Sequence, residues 1–245
     1  MAAVTGDRMS RKLGDQVRRW ASCAGIDPGI MPSDVALASA FRGAKDPCRP
    51  AADPRAIDDW ESRHGFALPR GLRAWLEISN GFYLRGPLIH PLSAIGPMVP
   101  FARFPELFVQ PESWFELGNP NVETVCIDLA YLWPSGGQPI FTSGDDTTQS
   151  PPRVIAPSFE DWFIAMLASG GREYWFDPGF RDLGHPWAAH RTHAPVPTLP
   201  ARLRPLVRKA SKLLTPGVDD RSVATALGIS RGDVELLCRH IQHAP

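Results

Sequence analysis

The chain has 245 residues with equal numbers of Lys/Arg and Asp/Glu side chains, 26 of each. This charge balance argues against a generic nucleic-acid binder. The hydrophobic fraction of 43% is ordinary for a globular protein that builds a core. The 26 prolines exceed the usual share of about 5%, and they predict short elements joined by rigid loops.

The charges are unevenly distributed along the chain. Residues 25–198 carry thirteen Lys/Arg and twenty Asp/Glu, a net charge of −7. The two ends are basic, with a net charge of +3 over residues 1–24 and +4 over residues 199–245. This distribution predicts an acidic body with basic ends, and therefore two kinds of surface.

The four cysteines form no C-x-x-C pair, which argues against a thiolate zinc site and against a redox dithiol. The sequence shows no signal peptide and no apolar run of the roughly 20 residues that a membrane helix needs. We therefore expect a cytoplasmic protein that has no membrane contact and no cofactor.

The first 50 residues predict a helical extension and a linker. A basic helix over 8–24 has apolar residues at helical spacing, and Ser33 caps a short helix that runs to Phe41. The segment RGAKDPCRPAADP, rich in proline and charge, then leads to the next domain.

Two helices and a chain reversal follow the linker. Asp53-Pro54 predicts a helix start, because aspartate caps a helix and proline suits its first position. A second helix begins near Pro69. The apolar residues before Asn80-Gly81 are spaced as in a helix, whereas a hairpin needs alternation on both sides. We therefore interpret Asn80-Gly81 as a helix C-terminus that leads into a strand.

An antiparallel sheet is predicted after this reversal. Residues 86–121 contain seven prolines, so we expect only edge strands and short turns there. VETVCIDLAYLW alternates and predicts a central strand. Val125, Ile127, Leu129 and Tyr131 are expected on one side, and Cys126, Asp128 and Ala130 on the other. QPIF and RVIA predict two further strands, and consecutive strands with short turns indicate antiparallel pairing.

A helix closes this body. Ser158 and Asp161 form a capping pattern before an apolar stripe. The predicted fold class is α+β, with helices flanking an antiparallel sheet and a small all-α tail. We place the domains at 1–50, 51–192 and 193–245, the last beginning with a proline-rich linker.

Two segments carry a family resemblance, IDDWESRHGFALPRGLRAWLEISNG (57–81) and VIAPSFEDWFIAML (154–167). Their order, helix, L-P, helix, S-N-G, meander and SFEDW helix, resembles the SUKH superfamily. That group contains fungal cell-wall assembly regulators and bacterial immunity proteins against secreted toxins. The resemblance implies a binding module without catalytic residues, and an acidic face would suit a basic toxin such as a nuclease.

The acidic body suggests a partner-binding surface. The candidate residues are Glu112, Trp114, Glu116, Asp145 and Asp146. Glu106 and Glu123 add to the acids before the central strand, and an antiparallel sheet could bring these loops to one edge or end. An aromatic anchor within a charged rim is a common composition of binding hot spots. The alternative is that Trp114 belongs to the core and that the acids keep the body soluble.

The C-terminal segment VATALGISRGDVELLCRHI (223–241) fits a helix-turn-helix, with Ala224 small at the helix crossing and Gly228 in the turn. The pattern resembles many bacterial DNA-binding motifs. The candidate nucleic-acid-binding residues are Arg208, Lys209, Lys212, Ser230 and Arg231. Asp233 and Glu235 near the same helix start would disfavour contact with phosphate, so a helical bundle that packs on a protein is the alternative.

No metal site is predicted. The histidines of HPWAAHRTH are separated by a proline and unequal spacings, and those near Cys238 lie on different faces of a helix end. Asp145 and Asp146 could bind a divalent cation. However, no EF-hand spacing accompanies them, so we interpret them as an acidic turn.

These patterns together predict a non-catalytic, cytoplasmic protein-binding module of SUKH type, for example an immunity protein that neutralises a basic toxin. The alternative is a DNA-associated regulator that uses its C-terminal tail. An enzyme that uses the acidic loop is a third hypothesis, and no catalytic motif supports it. The sequence identifies neither the partner nor the oligomeric state.

Overall fold

The computed structural model describes residues 2–41, 46–84, 86–99, 111–144, 151–186, 200, 202–214 and 218–243. The fold is α+β, as the sequence predicts, with antiparallel strands between N-terminal and C-terminal helices. The α-helices are α1 (Ala2–Ala24), α2 (Asp34–Ala40), α3 (Pro54–His64), α4 (Arg70–Leu76), α5 (Phe159–Ala168), α6 (Val207–Leu213), α7 (Asp220–Leu227) and α8 (Arg231–His243). Short 3₁₀ helices lie at Pro28–Ile30, Leu92–Ala94, Tyr174–Phe176 and Arg204–Leu206.

The strands form a hairpin and a five-stranded meander. The strands are β1 (Phe82–Tyr83), β2 (Pro87–Ile89), β3 (Gly96–Pro97), β4 (Trp114–Gly118), β5 (Val125–Asp128), β6 (Ile140–Thr142) and β7 (Arg153–Ala156). Strands β1 and β2 pair with each other, and the order β3-β4-β5-β6-β7 is antiparallel throughout. The central position predicted for the VETVCIDLAYLW strand is confirmed, but the strand ends at Asp128, so its predicted continuation to Tyr131 is wrong.

The proline-rich region contains more structure than the sequence predicts. Strand β4 lies between β3 and β5, so the expectation that only edge strands fit within 86–121 is wrong. The prolines stop short of the strand, because Pro111 precedes it and Pro120 follows it. Proline removes a donor only at its own position, so a proline-free run of five residues can pair on both sides.

The predicted helix starts are formed by the expected side chains. The Ser33 hydroxyl accepts a hydrogen bond from the amide of Ala36, and Asp53 accepts one from the amide of Arg55. The Ser158 hydroxyl accepts from the amide of Asp161 at 3.1 Å. These caps satisfy amides that have no partner within their own helix.

The sheet is buried on both sides. Alternate residues such as Phe115, Val125 and Ile127 pack into the large core formed with the helices. The opposite side presents a second cluster, in which Trp114 and Cys126 pack with Met98, Phe141 and Val154. Because both sides are apolar, the strands themselves offer few exposed positions for a functional site.

The N-terminal helices contribute to the large core. Leu13, Val17 and Trp20 of α1 are buried in the same cluster as residues of α4 and α5. The Trp20 indole N–H donates to the carbonyl oxygen of Gly71 at 2.8 Å. The division at residue 50 stays a prediction, but the extension packs as part of the body.

The C-terminal helices have a separate core. Leu203, Ala210, Val223, Val234 and Leu237 are among its buried members, and partly buried apolar residues of these helices and of the turns between them surround this core. This cluster shares no member with the two clusters of the body.

Candidate functional site

The acidic residues at the start of β4 occupy different environments. Glu112 is exposed in the turn before the strand, whereas Glu116 is half-buried within it. A Glu116 carboxylate oxygen accepts a hydrogen bond from the amide of Val99 at 3.3 Å. Glu116 also lies beside Cys126, where burial raises the pKa of the thiol and the carboxylate adds to that rise. Glu112 is therefore the accessible member of this pair.

Trp114 occupies the interior. Its side chain is 0% exposed, its indole N–H donates to an Asp128 carboxylate oxygen at 2.9 Å, and its ring centroid lies 4.7 Å from that of Phe141. This position matches the core interpretation of Trp114. It contradicts the interpretation of Trp114 as an exposed anchor within a charged rim. The adjacent apolar residues Trp114 and Phe115, which face opposite sides of β4, were the sequence signal that could have indicated burial on both faces.

The remaining acids of the predicted surface divide into two groups. Asp145 and Asp146 lie outside the described residues, as does Glu106. Glu123 is described, but its side chain is only 1% exposed, so it cannot belong to an exposed acidic rim. The position of Glu123 at the start of a strand gives no sequence signal for this burial.

Glu123 belongs to a buried polar group, which we call the Glu123 cluster and which comprises Glu123, Thr142, Arg153 and Trp175. Arg153 Nη2 lies 3.5 Å from Glu123 Oε2, longer than a good charge-assisted hydrogen bond. Four buried atoms, Glu123 Oε2, Thr142 Oγ1, Arg153 Nε and Trp175 Nε1, lack a hydrogen-bond partner in the part of the chain that the structure describes. Burial raises the pKa of the Glu123 carboxyl above its ordinary value, and the neighbouring groups offset only part of that rise.

A second polar group, which we call the serine–asparagine corner, comprises Ser79, Asn80 and Gly81. The Ser79 hydroxyl accepts from the amide of Arg49 at 2.8 Å and donates to the carbonyl of Gly81 at 2.6 Å. The Asn80 side-chain oxygen accepts from the amide of Leu92 at 2.7 Å. The corner thus joins the linker before α3, the end of α4 and the 3₁₀ helix after β2.

The backbone of this corner requires glycine. Gly81 has a φ of +108°, and an added Cβ would lie 3.1 Å from the carbonyl oxygen of Ile89. The helix before the corner is confirmed, but its C-cap is Glu77, so the interpretation of Asn80-Gly81 as the helix C-terminus is wrong. Those two residues instead form the connection between the end of α4 and β1.

The corner lies within a segment whose sequence matches a known family. The sequence model of the SMI1 / KNR4 family (SUKH-1) matches residues 51–165. This segment is a SUKH domain. It includes α3, α4, all seven strands and most of α5, while α1, α2 and the C-terminal helices lie outside the match. A search of the curated proteins found no match to the chain.

The SUKH domain carries an acidic group that the sequence analysis missed. Arg73 of α4 bonds to Asp58 at 2.6 Å, to Glu61 at 2.8 Å and to Glu77 at 3.2 Å. Asp58 is well exposed, and Asp59 beside it is exposed as well. One guanidinium therefore faces three carboxylates, so this side of α3 and α4 remains acidic. The i,i+4 spacing of Arg73 and Glu77 was the available sequence signal.

Outside the SUKH domain, the predicted nucleic-acid-binding residues lie in the three C-terminal helices. Arg208 and Lys212 are exposed one turn apart on α6. The Lys209 ammonium donates to the carbonyl of Ala226 near the end of α7, at 3.3 Å. Ser230 caps α8 by accepting from the amide of Asp233 at 3.1 Å, and Arg231 is exposed beside it.

A turn and an ion pair define the start of α8. Gly228 ends α7 with a φ of +66°, which places a turn between the two helices as the sequence predicts. Arg202 Nη2 lies 2.6 Å from a carboxylate oxygen of Asp233. One of the two acids that would disfavour phosphate at this helix start, Asp233, is therefore paired with a cation of the same bundle.

Metal and membrane sites receive no support from the described part of the chain. Among these residues no group of three or more His, Cys, Asp or Glu is placed to hold a metal ion. His190, His193, Asp145 and Asp146, which the metal interpretations involve, lie outside that part. No described helix combines the length and apolar character needed to cross a membrane.

Proposed function

We propose that the SUKH domain is a non-catalytic module that binds a basic partner protein, and that the chain acts as an immunity protein against a basic toxin. The observation that carries this proposal is the charge of the matched segment. Residues 51–165 contain seven Lys/Arg and fourteen Asp/Glu, so they hold the whole acidic excess of the body. Such a field raises the rate at which a basic protein associates.

Two acidic surfaces are available for this contact. One is centred on the exposed Glu112 before β4, with the half-buried Glu116 within that strand. The sequence adds Asp145 and Asp146 after β6, which lie outside the described residues. The expectation that these loops share one end of the sheet is not met at the described end of β6, because Trp114 pairs with Asp128 whereas Thr142 pairs with Val125, at the opposite end from Glu112. The other comprises Asp58 and Asp59 on α3, where Arg73 neutralises part of the charge. We favour the first surface because Glu112 is exposed and forms no ion pair within the described part of the chain.

The cytoplasm is the proposed location of this binding. The four cysteines Cys23, Cys48, Cys126 and Cys238 are all free thiols. Burial raises the pKa of the Cys48 thiol to about 12, which keeps it protonated and unreactive. Unpaired thiols are the usual state of cysteine in a reducing compartment.

The test uses a toxin-like basic protein encoded by a neighbouring gene and measures association with the full chain at several salt concentrations. Changing Glu112, Glu116, Asp145 and Asp146 to Lys should slow association about tenfold or more and flatten its salt dependence. The charge-matched control changes four exposed aspartates to Lys. They are Asp15, Asp27, Asp58 and Asp59. We expect the control to retain most of the rate.

The outcomes separate the alternatives. A loss of rate confined to the control would move the interface to the other acidic surface. Equal losses in both variants would indicate general attraction to the acidic body rather than a defined site. An unchanged rate in both variants, or no complex with any basic neighbour, would contradict the proposal.

A second candidate function is DNA binding by the C-terminal helices, in which α7 and α8 act as a helix-turn-helix. The observation that favours it is the pairing of Arg202 with Asp233, which offsets one of the two acids near the start of α8, while Glu235 still carries its charge in the sequence. Arg208 and Lys212 on α6 would then contact the phosphate backbone, while Ser230 and Arg231 lie where a recognition helix begins.

Fluorescence anisotropy with a mixed-sequence duplex tests this candidate. If the helices bind DNA, affinity should fall steeply with salt, since Lys and Arg contacts release counterions. Changing Arg208, Lys209 and Lys212 to Glu should abolish binding, whereas changing the exposed Arg55 and Arg63 of α3 should not. A flat titration at low salt would remove this function.

A further inference from the structure

The outer edge of β7 is covered by the chain that follows α5. We call residues 172–186 the covering segment. The amide of Val154 donates to the carbonyl of Gly184 at 2.8 Å, and the amide of Leu183 donates to the carbonyl of Val154 at 2.9 Å. Without these contacts β7 would be an open edge, with amides and carbonyls available to another strand.

The covering segment is also fixed to the start of β5. A carboxylate oxygen of Glu173 accepts from the amide of Val122 at 3.1 Å, and the indole of Trp175 is buried beside the Glu123 carboxylate. The Arg153 guanidinium lies 5.3 Å from the centre of the Phe176 ring. The contacts of the segment therefore converge on the Glu123 cluster.

The polar atoms of this cluster are poorly matched. The Glu123 carboxylate faces Thr142 from β6, Arg153 from β7 and Trp175 from the covering segment, and Glu173 lies near its backbone amide. Burial outweighs the favourable effects of Thr142, Arg153 and Trp175 on the Glu123 carboxylate, whose cation lies 3.5 Å away, so the ionised form is held at a cost in free energy. That cost is smaller when the carboxyl group carries a proton, because a neutral group loses less on leaving water.

We propose that the covering segment is a releasable cover of the β7 edge and that ionisation of Glu123 loosens it. With Glu123 protonated, Trp175 and Arg153 pack against a neutral group and the cover stays closed. With Glu123 ionised, opening lets water reach the carboxylate and relieves the cost of burying it. The opened edge can pair with an extended segment of a partner protein, a consequence that rests on the proposed binding function.

The direction of the pH dependence follows from the pKa. Burial in the closed state raises the pKa of Glu123, so the closed state binds the proton more tightly than an open state in which Glu123 is solvated. Closure is therefore most favourable below the ordinary pKa of glutamate. It weakens as the pH rises through the elevated value, and it stays weak above that value.

Amide hydrogen exchange of the full chain tests the cover directly. Exchange of the Val154 and Leu183 amides is followed from mildly acidic to mildly alkaline pH and corrected for the pH dependence of intrinsic exchange. In the native protein, protection should fall with rising pH, by about tenfold for each pH unit by which closure raises the pKa. Amides of α5 should not follow this change.

Glu123→Gln is the decisive variant, because glutamine keeps the size of the side chain and cannot ionise. We expect its Val154 and Leu183 amides to be protected at every pH as well as those of the native protein are in acid. Asp15→Asn, which changes an exposed acid on α1 away from the cluster, should retain the native curve. Trypsin cleavage at the exposed Arg181 should follow the same order, slower in Glu123→Gln than in the native protein at neutral pH.

Several results would overturn the proposal. One is a native protection that does not change with pH. Another is a pH dependence that persists in Glu123→Gln, which would assign the effect to another group such as His185, whose Nδ1 lies 2.9 Å from the carbonyl of Pro152. Lower protection or failed folding of Glu123→Gln would show that the carboxylate stabilises the closed state. A parallel change in α5 would indicate global unfolding. Failure of the charge-reversal test of partner binding would leave this result unaffected.

Discussion

The serine–asparagine corner and the Glu123 cluster are both buried polar groups of the body, but they differ in how well their atoms are paired. In the corner, Ser79 and Asn80 make short hydrogen bonds to three backbone groups from separate segments. In the cluster, a carboxylate with a raised pKa lies 3.5 Å from its cation and four atoms have no partner within the described chain.

This difference separates a rigid joint from an adjustable one. A buried polar group that is fully bonded specifies one arrangement, since any other arrangement leaves atoms unpaired. A group that is incompletely bonded gains less from its native arrangement, so local opening there requires less free energy. We therefore expect substitutions in the corner to lower global stability, and substitutions in the cluster to change pH dependence and local opening.

The largest effect is expected at Gly81. Gly81→Ala places a side chain at a φ of +108° and brings its Cβ to about 3 Å from the carbonyl oxygen of Ile89, so we expect a loss of about 3 kcal/mol in the free energy of unfolding. Urea denaturation measures it. The matched control is Gly65→Ala, which also has positive φ but has no heavy atom within 4 Å of the added Cβ, and it should cost about 1 kcal/mol. Equal losses in the two variants would show that the close approach at Gly81 is unimportant.

Ser79→Ala is expected to have the next largest effect. It leaves the amide of Arg49 and the carbonyl of Gly81 without their side-chain partner, and the expected loss is about 2 kcal/mol. Ser62→Ala, at an exposed position on α3, should change the stability by less than about 0.5 kcal/mol. A Ser79 variant as stable as the Ser62 variant would contradict the description of the corner as a rigid joint.

The corner also shows how far the sequence predicts the fold. The helical spacing before Asn80-Gly81 and the string S-N-G led to the SUKH resemblance, and the family match confirms it. The sequence could not show what Ser79 and Asn80 contact, because Arg49 and Leu92 are 30 and 12 residues away along the chain. Local patterns predicted the elements and their caps, whereas contacts between distant segments depend on packing.

The candidate binding surface was less predictable than the fold. Charge counts identified an acidic body, but they could not distinguish the exposed Glu112 from the buried Glu123, since both are acids close to a strand start. Trp114 illustrates the same limit, because an aromatic residue beside acids is equally compatible with a surface anchor and with a core position. Burial depends on which segments cover the sheet, and that information is not local.

Arg153→Met tests the cluster through its cation. Removing the guanidinium leaves the buried Glu123 carboxylate without its nearest positive charge. We therefore expect the free energy of unfolding to fall by about 1.5 kcal/mol at neutral pH. This is below the range for a fully buried pair because the Arg153 side chain is partly exposed. The loss should shrink in acid, where Glu123 binds a proton. Adding Glu123→Gln should restore most of the stability.

The control for this prediction is Arg172→Met, which removes an exposed arginine paired with Asp177. Such a pair contributes at most about 1 kcal/mol, and its removal should not respond to the Glu123 substitution. If Arg153→Met lowers the free energy of unfolding by no more at neutral pH than in acid, then Arg153 does not stabilise the protein by compensating the charge of Glu123.

The smallest effect, and the sharpest contrast between the two groups, is expected from Asn80→Asp. The new carboxylate keeps the oxygen that accepts from the amide of Leu92, so the stability at neutral pH should change by less than about 1 kcal/mol. A hydrogen bond to the ionised form lowers the pKa of a carboxyl group, and the folded variant should therefore lose stability as the pH falls through that lowered value.

At Glu123 the folded state has the raised pKa, and its contribution to stability is lost as the pH rises. The measurement is the free energy of unfolding of Asn80→Asp, of Glu123→Gln and of the native protein across pH. Relative to the native protein, Asn80→Asp should become less stable as the pH falls, and Glu123→Gln should become more stable as the pH rises. If Asn80→Asp instead loses stability relative to the native protein as the pH rises, the corner does not favour a carboxylate. The two polar groups would then not differ in the way that their hydrogen bonds indicate.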